Sequence, residues 1–235
     1  MAAQCGLHLV KVIAYSIDAT QYEQEATAAV LQLKAAGVTS VFCACDPVFP
    51  ILLTQAAHEQ DYLPEILTAS FGDPVTRDYD QTVWSHAIAG GTQFPPLVSS
   101  EPYRTYQLAA PGRHPAEWEP TSPPYFYVPY YQLLQVFLGL QAAGPDLTPA
   151  TFARGMAGLP PSQPGDTVAG QWVYGSGVYD PVATFNLVWW DPGAVSAFDS
   201  QKGAYRFCNG GQTYLDSDLA ALGGPRQQLS CFGGT

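Results

Sequence analysis

Apolar residues cluster in short blocks over the first ninety positions, and the blocks alternate between two periods. "LHLVKVIAYS" (Leu7–Ser16) is a compact apolar run rich in β-branched residues and reads as a buried strand. "TQYE" (Thr20–Glu23) follows, with Thr20 in N-cap position and Glu23 three residues on, the spacing of a capping box. Ala26, Ala29, Val30 and Leu33 then recur at i, i+3, i+4, i+7, one apolar face of a helix, and Gly37 supplies its stop. Val38–Cys45 is apolar at nearly every position, the pattern of a strand covered on both faces. Asp46 stands where the next N-cap belongs, with Pro47 at the first helical position, and Phe49, Leu52, Leu53 and Ala56 mark that helix's buried face. "PEILTAS" (Pro64–Ser70) predicts a third strand, "SFGDP" (Ser70–Pro74) a turn with a short helical segment through Tyr79, and "HAIAGGT" (His86–Thr92) a fourth strand. Strands and helices alternating through short loops predict an α/β fold with a mostly parallel sheet and helices on both faces.

The second half is patterned differently. Gln93–Pro124 is rich in Pro and polar residues, with one helical piece near Glu101–Leu108, and reads as a crossing between lobes or a surface excursion. "YFYVPYYQLLQVFLGLQAAG" (Tyr125–Gly144) predicts the strongest helix of this half, with Tyr127, Tyr130, Tyr131, Leu134, Phe137, Leu138 and Gln141 at helical spacing. "LTPATFARGMAGL" (Leu147–Leu159) adds a helix capped by Thr148 with Pro149 at N1. "QWVYG" and "TFNLVWW" read as strands, the second ended by "DPG", and the tail from Phe198 is weakly patterned. The organisation expected is 1–94 as an α/β core, 95–170 as a crossover with helices, and 171–235 as returning strands and a loop-rich tail.

Charge narrows the partners. A net charge of −11 with only nine Lys and Arg, none of them clustered, argues against a nucleic-acid partner. No apolar run is long enough for a transmembrane helix, and the first twenty residues lack the basic start, continuous apolar stretch and cleavage site of a signal peptide. Of the five cysteines, Cys208 and Cys231 flank a Gly-rich tail with little core of its own, where a disulfide suits an exported protein; two unpaired thiols are the alternative. Cys5 is isolated.

The candidate chemistry is concentrated at two strand ends. Cys43 and Cys45 are spaced CxC, which places both on one face of a strand; a structural metal wants four ligands, and a redox centre of the CxxC type has another geometry, so neither is expected. Cys43 reads as a small buried hydrophobe. Ala44, Cys45, Asp46 and Pro47 lie where the second strand gives way to a helix, and Ser70, Phe71, Gly72 and Asp73 occupy the same place after the third. Ligands of open α/β sheets bind outside such strand ends, where helix N-termini present free N–H groups to a carboxylate; ordinary caps and turns are the competing reading. His58-Glu59 lacks the second His of a zinc motif, Tyr174-Gly175-Ser176-Gly177 is a turn rather than a nucleophile elbow, and no phosphate-binding Gly loop occurs. No catalytic set, metal site or cofactor is expected. Tyrosines 125, 127, 130 and 131 read as packing residues, one or two of which could line a crevice at a helix start.

The order of these pieces resembles a known family. "VIAYSIDATQYEQEATAAVLQLKAAGVTSVFCACDPVFPILLTQAAHEQDYLPEILTAS" is similar to the second lobe of type I periplasmic solute-binding proteins of the leucine/isoleucine/valine branch, and "YFYVPYYQLLQVFLGLQAAG" to a later helix of that family. The resemblance covers roughly Leu7–Leu159. It implies two α/β lobes joined by crossovers, with an amino acid or similar small polar solute held in the cleft and no enzymatic activity. It implies an ABC transporter membrane permease as partner and an extracytoplasmic location (periplasm or cell surface) for the parent protein. Ala44–Pro47 and Ser70–Asp73 match the family's ligand-contacting strand ends, with Asp46 or Asp73 to meet an ammonium group. Cys45 stands where branched-chain members carry an aromatic residue, a departure from the pattern. A complete member has a further lobe before anything like Leu7, so the chain reads as a second lobe with part of the first. Apolar surface on Tyr125–Ala143 should then lack its sheet. The rival readings are an α/β enzyme or redox domain using Cys43, Cys45, Asp46 and His58, and a sensor domain on the same fold.

Overall fold

The computed structural model describes residues 9–69, 71–91, 101–112, 127–162, 171–196, 199–215 and 230–232. Two compact units emerge: Met1–Gly91 with Asn186–Gln212 and Ala220–Thr235, and Thr92–Phe185 with Thr213–Leu219.

In the first unit, α1 (Tyr22–Ala35) buries Ala26, Ala29, Val30 and Leu33, the stripe read from the sequence. Its end is a Schellman turn: the Val38 amide donates to the Leu33 carbonyl at 3.1 Å and the Gly37 amide to Lys34 at 3.0 Å, with Gly37 at φ +66°. Its start differs from expectation. Gln21 is the N-cap and no side chain caps the helix there. Thr20 is instead turned toward Asp18, whose carboxylate accepts from the Thr20 amide and hydroxyl at 3.0 and 2.7 Å, so the Thr20–Glu23 capping box does not form.

The sheet runs β1 (Ser40–Cys43), β2 (Glu65–Ala69), β3 (Ala87–Gly91), β4 (Thr184–Val195), β5 (Lys202–Phe207), with β6 (Thr213–Leu215) pairing on β4. β1, β2 and β3 are parallel, in register Cys43↔Thr68 and Thr68↔Ala89. β4 and β5 are antiparallel additions, in register Ile88↔Trp189 and Trp190↔Tyr205. The architecture is α/β with a mixed sheet. Its core joins α1, α2 (Phe49–Glu59), α3 (Asp73–Thr76) and α4 (Gln81–Trp84) to the inward residues Cys43, Ile66, Ala87 and Trp190. The opposite positions of β1 and β2 are open: Phe42 is 71% and Leu67 40% exposed, against the expectation of a strand buried on both faces.

Three strand expectations are corrected. Among the described residues of Leu7–Ser16 no strand forms; Leu9, Val10 and Val12 are exposed and stand off from β1 across a cavity of about 520 Å³. A β-branched run reports a fit to a pleated surface rather than the pairing itself. "DPG" does not end β4, which continues to Val195 through a register shift between Asp191 and Val195, because the Asp191 carboxylate accepts from the Gly193 and Ala194 amides at 2.9 and 3.2 Å. "QWVYG" contributes a single bridge, Trp172↔Val182. The weakly patterned tail holds β5, β6 and the Cys208–Cys231 disulfide.

The second unit contains α5 (Glu101–Ala109), α6 (Tyr127–Ala143) and α7 (Pro149–Ala157). α7 starts as expected, with the Thr148 hydroxyl accepting from the Thr151 amide at 3.1 Å and Pro149 in the first turn. α6 and α7 meet at two glycines: a Cβ on Gly139 would lie 2.5 Å from the Phe152 ring, and one on Gly155 2.7 Å from the Ala142 backbone. Tyr131 packs edge-on against Trp172 at 5.4 Å, as core rather than crevice lining. Tyr125 and the side chain of Tyr127 lie outside the described residues. No described helix is long and apolar enough to cross a membrane.

Candidate functional site

β1 and β2 are adjacent and parallel, so the loops that leave their carboxyl ends start side by side. The first is Ala44–Pro47. The Cys43 carbonyl accepts from the Thr68 hydroxyl at 3.0 Å, and directly beyond it Cys43 and Cys45 are joined in a disulfide. This corrects the reading of Cys43 as simply a small buried hydrophobe and of both cysteines on one face of a strand: β1 ends at Cys43, and the backbone contracts to a Cα–Cα distance of 5.2 Å, within bridging reach. Ala44 and Pro47 are exposed; Cys45 and Asp46 are half-buried.

Asp46 is a hub. One carboxylate oxygen accepts from the Tyr15 and Tyr22 hydroxyls at 2.7 and 3.1 Å. The other accepts from the Val48 and Phe49 amides at 2.8 and 3.2 Å at the entry to α2, whose N-cap is Val48 and not Asp46, so Pro47 precedes the helix instead of opening it. The Asp46 amide in turn donates to the Tyr15 oxygen at 2.8 Å, and the Tyr15 ring stacks on Phe49 at 3.9 Å. Burial works against the charge of Asp46, but the Tyr15 hydroxyl and the two amides outweigh it and hold the carboxyl below its usual range.

In the second loop Ser70 lies outside the described residues. Phe71 and Gly72 are half-buried, and Phe71 meets Tyr79 edge-on at 6.2 Å. Asp73 is 4% exposed: it accepts from the Ser196 hydroxyl at 2.7 Å and the Tyr205 amide at 3.4 Å. Burial pushes its carboxyl above the usual range, against those two hydrogen bonds and Arg77. Arg77, one helical turn on, forks onto Asp199 at 2.6 and 2.9 Å and donates to the Lys202 carbonyl at 3.0 Å. Together they tie α3 to the β4–β5 turn.

Tyr79 couples the two loops. Its hydroxyl donates to the Pro47 carbonyl at 2.8 Å while its ring packs on Phe71 and, at 4.4 Å, on Trp84. Neither Tyr79 nor Tyr15 stood out in the sequence, since a tyrosine in an apolar block signals core before it signals a hydrogen-bond post. The cavity along the open edge of β1 reaches Cys43, Ala44 and Cys45 at one end and does not touch Phe71–Asp73. The arrangement offers a rim of backbone and small side chains with both nearby acids committed to internal hydrogen bonds.

The other candidates scatter. His58 pairs with Asp80 at 2.5 Å on the α2 surface. Ser176 and Gly177 lie in a turn, with Gly177 at φ +78°. Among the described residues no group of three or more His, Cys, Asp or Glu side chains is placed to hold a metal ion. Cys5 lies outside the described residues.

No family model matches the chain, and no curated protein matches it by sequence. Solved structures do match. One is a leucine-, isoleucine-, valine-, threonine- and alanine-binding protein from Brucella ovis in its closed conformation, at TM-score 0.63 and 14% identity, over 91% of this chain and 52% of that one. Another is an ABC transporter substrate-binding protein from Aeropyrum pernix, at TM-score 0.55 and 12% identity, over 86% of this chain and 51% of that one. The chain spans about half the length of both. At these identities the likeness is one of fold: the chain has the fold of type I periplasmic binding proteins over about half of their length.

Proposed function

We propose that this chain is part of an extracytoplasmic solute-binding protein that presents an amino acid or similar small polar solute to an ABC transporter permease, without catalysing a reaction. The observation that supports this is the paired strand-end rim, Ala44–Pro47 beside Phe71–Asp73, on a chain whose fold is shared by a protein named for binding small amino acids and by an ABC transporter substrate-binding protein. The ligand meets the rim through backbone groups at Ala44, Cys45 and Gly72 and through the faces of Pro47 and Phe71. Asp46 and Asp73 hold the two loops in place, and their field favours an ammonium group nearby. In the parent protein we take a facing lobe to complete the cleft.

The test is thermal unfolding of the purified chain with millimolar amino acids, small amides and organic acids. Ligand binding to the native state raises the midpoint by mass action. The expected result is a rise with one ligand class that Ala44→Trp abolishes while leaving the ligand-free midpoint in place. A rise that Ala44→Trp leaves intact would put the site elsewhere.

A further inference from the structure

The two disulfides differ in what they can do. Cys208–Cys231 spans 23 residues and holds the tail, the work of a staple. Cys43–Cys45 spans two residues, so it closes almost no loop and restricts the unfolded chain least. Its position is nonetheless particular, because it sits at the end of β1 with exposed Ala44 between its two cysteines.

The bridge also sets the length of the strand. Two residues of regular strand advance about 6.6 Å, twice the rise of about 3.3 Å. Cys43 and Cys45 are only 5.2 Å apart. β2 continues one residue past the last β1 pair, since Ala69 is still strand while Ala44 is not. On either side the chain is pinned: Cys43 through its carbonyl to Thr68, and Asp46 through its amide to Tyr15. Opening the bridge therefore frees Ala44 and Cys45 and little else.

We propose that Cys43–Cys45 is a reversible dithiol–disulfide switch that sets the end of β1 and the shape of the rim, operated by thiol exchange with a dithiol reductant. One thiolate of the reductant attacks the sulfur of half-buried Cys45, and the Cys43 sulfur leaves as a thiolate and takes up a proton. The second thiol of the reductant then displaces Cys45, which is protonated in turn. The reductant ends as a disulfide, and two electrons and two protons have moved to the protein. In the reduced form the backbone at Ala44 relaxes toward strand spacing and β1 lengthens beside Ala69. That this remodels a ligand rim rests on the function proposed above; the switch itself does not.

The experiment is a dithiothreitol titration of the whole chain, read by alkylation and mass spectrometry, with backbone hydrogen exchange on the same samples. The expected result is that Cys43–Cys45 opens while Cys208–Cys231 stays closed. Exchange at residues 44 and 45 should change at least threefold, with exchange at Asp46 and across α1 unchanged, and should revert on reoxidation. The double variant Cys43→Ala/Cys45→Ala should show the reduced pattern with or without reductant. Free thiols at both positions in protein purified without reductant would overturn the proposal. So would reduction of both bridges only together, or unchanged exchange at residues 44 and 45. A switch that works in a chain binding none of the tested solutes would leave this proposal standing and count against the function proposed above.

Discussion

At the residue scale, the acids nearest the rim are anchors. Asp46 spends both carboxylate oxygens on four donors from three segments of the chain. Asp46→Ala should cost roughly 1 kcal/mol through the lost first-turn acceptor, with a further loss from the stranded Tyr15 hydroxyl; urea unfolding at pH 7 measures it. Arg77 and Asp199 form the better sequestered pair, with side-chain exposures of 17% and 1%. Removing one partner of a buried fork leaves the other uncompensated, so Arg77→Ala should cost about 3 kcal/mol, and Arg77→Lys, lacking the fork, should recover only part of it. His58 and Asp80 give a signed pH dependence. Asp80 raises the His58 pKa, first by hydrogen bonding and then by charge. That stabilisation is therefore full below the unfolded histidine value near 6.5 and lost as pH rises through the higher folded value. The Asp80 carboxyl, opposed by burial but lowered by His58 and the Val83 amide, contributes above its unfolded value and loses that as pH falls through its folded one. His58→Ala should flatten the stability–pH profile between about pH 6 and 8, and a variant as steep as the native chain would contradict the pairing.

At the element scale, the helices were easier to read than the strands. The apolar stripe of α1 and the Thr148–Pro149 start of α7 follow from local spacing and local hydrogen bonds, which a sequence carries within one window. The α6–α7 contact does not. It depends on Gly139 and Gly155 meeting Phe152 and Ala142, two facts about opposite helices. Gly155→Val should lower stability by about 2 kcal/mol through overpacking and selectively raise hydrogen exchange in α6 and α7. Strand pairing was least legible. The apolar run before Tyr15 carries a strand's composition yet its described residues pair with nothing in the sheet, while "KGAYRF", with a glycine and charged residues interrupting its pattern, forms β5. What places β5 is its pairing with Trp190 of β4 and the anchors Arg77 and Asp73, the two anchors each more than a hundred residues away. The candidate site was read from the strand ends alone, as Ala44–Pro47 and Ser70–Asp73, and the described residues of those loops do start side by side, but the commitments of Asp46 and Asp73 arise from Tyr15, Ser196 and Tyr205, which only the fold brings near.

At the scale of the whole molecule, α6 carries an exposed apolar face. On α6, Leu133, Val136, Phe137 and Leu140 are 56, 47, 59 and 36% exposed and recur at i, i+3, i+4, i+7 along one face. Such a patch promotes association, so sedimentation velocity should show concentration-dependent self-association that Leu133→Glu/Phe137→Lys reduces. The central claim is that the two strand-end loops bind a small polar solute. The most direct measurement is hydrogen exchange of the native chain with and without a millimolar mixture of amino acids. The account predicts slower exchange confined to residues 44–48 and 71–76, with α6 and α7 unaffected. Unchanged exchange at the rim, alongside protection elsewhere in the chain, would contradict it.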